Sequence, residues 1–180
     1  MARIVTISGS PSPSSRTKAV VEYIKNLPAA KDWQADSIDV RELPPEDLVH
    51  ARFDSPAVQN TVRLLKQAEG VIIATPVYKA SCAGLLKAYL ELLPQDVLSG
   101  KVVWPIAVGG TLAHLLVIDY ALKPVLYALG AQHVLSGVYI EDRWIRRHQE
   151  KILLESEAEE RIRALLERFV RNLPRSNQRR

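Results

Sequence analysis

One cysteine, Cys82, in 180 residues excludes an intramolecular disulfide and every C-x-x-C metal site or redox pair. The four histidines, His50, His114, His133 and His148, show no metal-ligand spacing and read as structural or exposed residues. No G-x-x-x-x-G-K-[ST] and no G-x-G-x-x-G follows the first predicted strand, so the two commonest phosphate loops are missing. A G-x-S-x-G elbow is missing too, and serine hydrolysis with it. No apolar run approaches the roughly 20 residues of a membrane span. Met1-Ala2-Arg3 leads straight into a strand, so the expectation is a cytoplasmic protein without a signal peptide. Excess charge is also scarce. Of the formal net charge of +4, Arg175, Arg179 and Arg180 in a polar tail after Pro174 contribute three, leaving a body near +1. A near-neutral body offers no nucleic-acid face, and the basic tail, 175–180, is expected to be disordered.

What is present fits one globular domain over 1–174, with 47% hydrophobic and 24% charged residues. The chain opens on Ile4-Val5-Thr6-Ile7-Ser8, a short β-branched run, followed by Gly9-Ser10-Pro11-Ser12-Pro13-Ser14-Ser15-Arg16-Thr17 and then a helical pattern. A strand, polar loop and helix in that order bring backbone N–H groups, hydroxyls and the positive end of a helix to one point. That arrangement suits a phosphate. The bland alternative is an ordinary polar connection that binds nothing.

Further along, helices are expected over 18–27, with Pro28 as terminator, and from Ser55-Pro56 through Ala68, with Gly70 as its stop. A strand over 35–40 alternates one-sidedly, as a sheet edge does. Val71-Ile72-Ile73-Ala74 is apolar on both faces and belongs in the middle of a parallel sheet. It ends in the loop Thr75-Pro76-Val77-Tyr78-Lys79-Ala80-Ser81, and a helix over 83–92 comes next. A fourth strand, 101–108, contains Pro105 and is expected to bulge there. Gly109-Gly110-Thr111 then opens a long apolar helix, 112–129; a fifth strand over 133–140 and a helix over 157–173 complete the pattern. The run Arg143, Arg146, Arg147 reads as a solvated face, and Cys82 as a small core residue. Strands alternating with helices predict an α/β fold with a five-stranded parallel sheet, helices on both faces, and the flavodoxin-like order 2-1-3-4-5.

In such sheets ligands bind outside the carboxyl ends of the strands at the switch point. There the topology gathers three loops. The first offers Ser10, Ser15, Thr17 and Arg16 to a phosphate. The second offers Pro76, Val77 and Tyr78 as a flat apolar surface for an aromatic ring, and the third a glycine turn whose N–H groups and helix dipole favour negative charge. Phosphate, ring and developing negative charge together describe FMN being reduced. Taken singly, Tyr78 reads as a packed loop aromatic and Gly109-Gly110 as a tight turn.

The helix over 112–129 is apolar almost all round, so one sheet face cannot bury it and a partner subunit is expected. Pro124 removes the N–H that would bond the Tyr120 carbonyl, which predicts a kink or a π-bulge at Tyr120.

On these residues the chain resembles the NADPH-dependent FMN reductases, and most closely the flavin reductase component of bacterial two-component alkanesulfonate monooxygenases. The resemblance is carried by Gly9-Ser10-Pro11, Ala51-Arg52-Phe53-Asp54-Ser55-Pro56-Ala57, Thr75 to Ala80, Gly109-Gly110-Thr111, Ala113-His114-Leu115-Leu116 and Asp119 to Leu126. It runs to about Ile140, beyond which the match is poor. It implies a tetramer built as a dimer of dimers, and hydride transfer from NADPH to FMN. It also implies delivery of reduced FMN to a monooxygenase that desulfonates organosulfonates. By position, Ser10, Ser15, Arg16 and Thr17 would hold the FMN phosphate. Pro76, Val77, Tyr78, Lys79 and Ser81, with Gly109, Gly110 and Thr111, would contact the isoalloxazine, and Tyr120 would sit in an interface π-helix near the flavin. The family's arginine two residues after the serine of the Gly-Ser pair is Ser12 here, which shifts phosphate contact toward Arg16 and the hydroxyls. Hydride transfer to flavin needs no protein acid or base, so no catalytic residue is named. Two alternatives use the same loops: an FMN-bound quinone, azo-dye or metal-oxyanion reductase, and a non-enzymatic flavodoxin-like electron carrier. The pI of about 9.3 disfavours the carrier, since such carriers are typically acidic.

Overall fold

The computed structural model describes residues 1–31, 33–148 and 151–174. The tail, 175–180, and the side chains of Arg147 and His148 lie outside the described residues. The apolar opening run forms β1 (Ala2–Ser8), and the loop after it feeds α1 (Arg16–Lys25), which Ser15 caps by accepting the Lys18 N–H at 3.0 Å. β2 (Trp33–Asp39) buries Trp33 and Ile38 between exposed polar residues, as an edge strand does. A short helix, α2 (Pro45–Val49), leads to α3 (Pro56–Gln67), which has the expected Ser55 cap and Pro56 at its first position. Next come β3 (Gly70–Tyr78), β4 (Ser81–Cys82), α4 (Gly84–Glu91) and β5 (Val102–Gly109). The last third holds a π-helix at Ile118–Leu122, α5 (Lys123–Ala128), β6 (His133–Val134) and β7 (Val138–Glu141). A hairpin of β8 (Ile145–His148) and β9 (Lys151–Leu154), not expected from the sequence, precedes α6 (Ser156–Asn172).

The parallel strands order as β2-β1-β3-β5-β6, with β7 continuing the last position beside β5. This is the expected 2-1-3-4-5 arrangement with its fifth strand in two pieces. Alternate residues of each strand serve opposite faces. Ile4, Ile72, Trp104 and Ile106 pack with α1 and α6, whereas Val5, Ile7, Val71, Ile73 and Val103 pack with α3, α4 and α5. Each fully buried side chain of this kind contributes about 1.5–3 kcal/mol.

Four expectations are corrected. Gly70 is no helix stop. It starts β3, and a Cβ there would lie 2.5 Å from Phe169 Cζ and 2.6 Å from Leu173 Cδ2, so α6 requires glycine beneath it. Pro105 makes no bulge in β5, which pairs with β3 in unbroken register from Val102 to Val108. The irregularity falls on its other neighbour instead. β6 and β7 are separated by Leu135-Ser136-Gly137, and Gly137, at φ +85°, lies so near Pro105 that a Cβ would sit 2.9 Å from the Pro105 carbonyl oxygen. A proline lacks the N–H for that side of the ladder, and the partner strand breaks opposite it. The helix expected over 112–129 is a single 3₁₀ turn (Leu112–His114), the π-helix and α5. Finally, Cys82 is half-buried in β4 rather than in the core. Among the described residues, no helix is long and apolar enough to cross a membrane, and no group of His, Cys, Asp and Glu is placed to hold a metal.

Candidate functional site

The carboxyl ends of β1, β3, β5 and β7 meet around a cleft of about 220 Å³. One wall is the loop after β1, supplying Ser10, Ser12, Ser14, Ser15, Arg16 and Thr17. The opposite wall is the end of β3, Pro76, Val77 and Tyr78, and Val108 and Asp142 close the base and far side. The loop is held in shape by its own polar groups. Gly9 donates its N–H to the Ala74 carbonyl at 2.8 Å, tying the loop to β3, and Ser10 Oγ accepts the Ser12 N–H at 3.3 Å. Ser10 and Thr17 are each 2% exposed, so their hydroxyls belong to the floor of the loop. Arg16, by contrast, is largely exposed and its Nη1 lies 3.8 Å from Asp142 Oδ1.

Thr75, Pro76, Val77 and Tyr78, expected as a loop, continue β3 instead. The strand turns back through a two-residue hairpin, pairing Tyr78 with Ser81 and Val77 with Cys82. Lys79 and Ala80, at φ +49° and +62°, supply the left-handed conformations such a turn demands. Neither is glycine, so the turn holds strain at the rim of the cleft. Thr75 anchors its base by accepting the Ala83 N–H at 2.9 Å. Tyr78 stands 47% exposed above the cleft.

Gly109, Gly110 and Thr111 leave the end of β5. They do not line this cleft but are fixed beside it, since Tyr139 Oη donates to the Thr111 carbonyl at 2.5 Å. A Cβ on Gly109 would collide with that hydroxyl. Burial, reinforced by the charges of Glu141 and Asp142, raises the Tyr139 hydroxyl above the ordinary tyrosine value, so it stays protonated as a donor. The helix dipole expected after Thr111 is absent: Thr111 is extended and leads into one 3₁₀ turn. Lys79 and Ser81 likewise lie outside the cleft lining, on the hairpin.

Tyr120 does sit in a π-helix. The Lys123 N–H reaches back five residues to the Ile118 carbonyl, one residue before Pro124, whose missing N–H would otherwise serve the Tyr120 carbonyl. This segment abuts β4 and shares a small apolar cluster of Ala107, Val117, Ile118 and Tyr139, with Val77 against it. Tyr120 itself is 79% exposed, with Leu112, Leu115, Leu116 and Tyr127 also exposed. Pro124 lines a separate apolar groove between α4 and α5 with Leu90, Leu93, Val125 and Leu129.

Sequence reasoning missed Asp142. The signal was present: Glu141-Asp142 ends the last apolar strand, at the same edge as the other loops. Of the basic run nearby, Arg143 pairs with Glu141 at 3.0 Å and Arg146 with Glu155 at 2.8 Å.

The hydroxyls with one guanidinium match an oxyanion, and the Pro76 to Tyr78 wall matches a flat ring, so the residues present fit FMN. The model of NADPH-dependent FMN reductases matches residues 2–145. The chain belongs to this family. An FMN reductase (NADPH) from Escherichia coli strain K12 is 44% identical over 173 residues, spanning 96% of this chain and 91% of that protein. Another from Pseudomonas putida strain KT2440 is 45% identical over 168 residues, 92% of this chain and 85% of that protein. Both alignments run past Ile140, whereas the family model itself stops at residue 145. Among solved structures, the apo form of the NADH:FMN oxidoreductase EmoB superposes with a TM-score of 0.87 at 35% identity, covering 98% of this chain and 92% of that one.

Proposed function

We propose that this NADPH-dependent FMN reductase works in the cleft at the carboxyl ends of β1 and β3, and that it supplies reduced FMN to a partner monooxygenase acting on organosulfonates. The observation that carries the site assignment is the meeting of a serine-rich loop bearing one arginine with the apolar wall of Pro76, Val77 and Tyr78. FMN, when bound, supplies the acceptor for hydride from NADPH. Ser10, Ser15, Arg16 and Thr17 would hold the phosphate, while Pro76, Val77 and Tyr78 would hold the ring, with Lys79 and Ser81 on the hairpin at the rim. Gly109, Gly110 and Thr111 present backbone N–H groups at the edge where negative charge develops. The protein's work is alignment and electrostatics, so no side chain acts as acid or base. The sulfonate partner and a tetramer of two dimers are inferred from the resemblance of the quoted motifs. The exposed apolar residues around Tyr120 support the assembly.

Monitoring NADPH oxidation while FMN is titrated into the purified protein tests this. A nearly colourless preparation whose rate saturates with added FMN supports flavin as an exchanged substrate. A yellow preparation that turns over only with a quinone or azo dye replaces it with a reductase holding its FMN. Titrating a purified sulfonate monooxygenase into the assay tests the partner, which requires sulfite release to depend on both proteins.

A further inference from the structure

Arg16 is the single cation among the described residues that line the cleft, and it shares that cleft with a carboxylate. Asp142 opens the 3₁₀ turn directly after β7, and its Oδ1 lies 3.8 Å from Arg16 Nη1. The adjacent acid behaves differently. Glu141 is buried and its carboxylate is met by Arg143, at 3.0 Å from Nε and 3.3 Å from Nη2. Glu141 therefore has its own counter-ion, whereas Asp142 turns to the cation that a phosphate would need. The side chains of Arg16 and Asp142 are 53% and 43% exposed, so their pairing adds little to folding stability. Its consequence lies in binding. A phosphate monoester carries close to two negative charges at neutral pH. Seated on Arg16 it draws the guanidinium from Asp142 and leaves a carboxylate facing a dianion across a narrow cleft, where the repulsion is felt within the Debye length.

We propose that Asp142 is a specificity-determining residue that weakens capture of the flavin phosphate, lowering the preference for FMN over riboflavin and speeding flavin exchange. It rests on the assignment of this cleft to FMN. Charge opposing the ligand at its own anchor is a poor feature in a site that keeps a cofactor. It is a serviceable one where flavin enters and leaves.

The test is the ratio of FMN to riboflavin affinities, measured by quenching of flavin fluorescence for the wild type, Asp142→Asn and Asp142→Glu. The asparagine variant is expected to raise the ratio by about fivefold at low ionic strength, with the gain shrinking as salt is added. It should also slow FMN dissociation in stopped flow by a similar factor. The glutamate variant keeps the charge and is expected to leave the ratio within about twofold of wild type. An unchanged or lowered ratio in Asp142→Asn overturns the role of Asp142, and so does an equal rise in Asp142→Glu, which would make side-chain shape the cause. Asp142→Ser carries the same test if the asparagine variant loses its circular dichroism signature. A wild type that binds neither flavin overturns the FMN site itself. A wild type that prefers FMN, with a ratio unmoved by Asp142→Asn, overturns only the role of Asp142.

Discussion

Gly110 shows how a single position tests the site without testing the fold. A Cβ added there meets nothing within 4 Å, so Gly110→Asp should keep its melting temperature while placing a carboxylate where the proposed function has negative charge develop. The expected loss in kcat is about a hundredfold, the scale of a lost anion-stabilising donor, with Gly110→Asn retaining most activity in the same NADPH assay. Tyr139 makes the complementary prediction. Removing its hydrogen bond to Thr111 in Tyr139→Phe should cost roughly 1 kcal/mol by denaturant melts. The raised value of this hydroxyl adds a pH signature. Its stabilisation is complete below the ordinary tyrosine value of 10.0 and is lost as pH climbs through the higher folded-state value. The phenylalanine variant should lack that alkaline decline. At this scale the loop hydroxyls, Arg16 and the Pro76 wall were legible, because residue type and strand-end position suffice to place them. Asp142 was marked only by its place at the end of the last apolar strand, and neither its pairing with Arg16 nor the need for glycine at 70 was legible. Each depends on a partner far along the chain, Arg16 in the first case and Phe169 in the second.

Among the elements, the hairpin between β3 and β4 is under the clearest local constraint. Lys79 and Ala80 occupy the left-handed region where asparagine and glycine are favoured. Replacing both, Lys79→Asn with Ala80→Gly, should raise stability by about 1 kcal/mol, read as a higher melting temperature. The π-helix was predictable from Pro124 because a missing donor acts within one turn. The rest of that segment does not form the continuous helix its pattern suggests. Its apolar residues recur at helical spacing, but Leu112, Leu115 and Leu116 present that apolarity on an outward face instead of to the sheet. Pro105 misleads for a related reason. A proline in a strand identifies which hydrogen bond is missing, but only the paired geometry shows that the neighbouring strand, not its own, gives way.

For the whole molecule, the strand order could be read from the pattern of buried and half-buried strands, and it alone was enough to bring the loops after β1 and β3 together. The exposed face of Leu112, Leu115, Leu116, Tyr120 and Tyr127 makes its own prediction. Leu116→Arg with Tyr120→Arg should shift sedimentation toward smaller species while leaving the circular dichroism spectrum unchanged. Folding during synthesis, in turn, waits on α6. Phe169 packs edge-on against Trp33, with ring centres 5.6 Å apart, and lies 5.9 Å from Trp104. It also fills the space over Gly70. Segments far apart in the sequence thus close this part of the core together. On the ribosome, β1, β2 and β3 can pair early and α1 can cover part of one face, but the part of that face around Trp33 and Gly70 stays open until α6 emerges. Through that interval two tryptophans remain available to chaperones or to neighbouring chains. A break placed after residue 145, where the family match ends, would make the interval permanent.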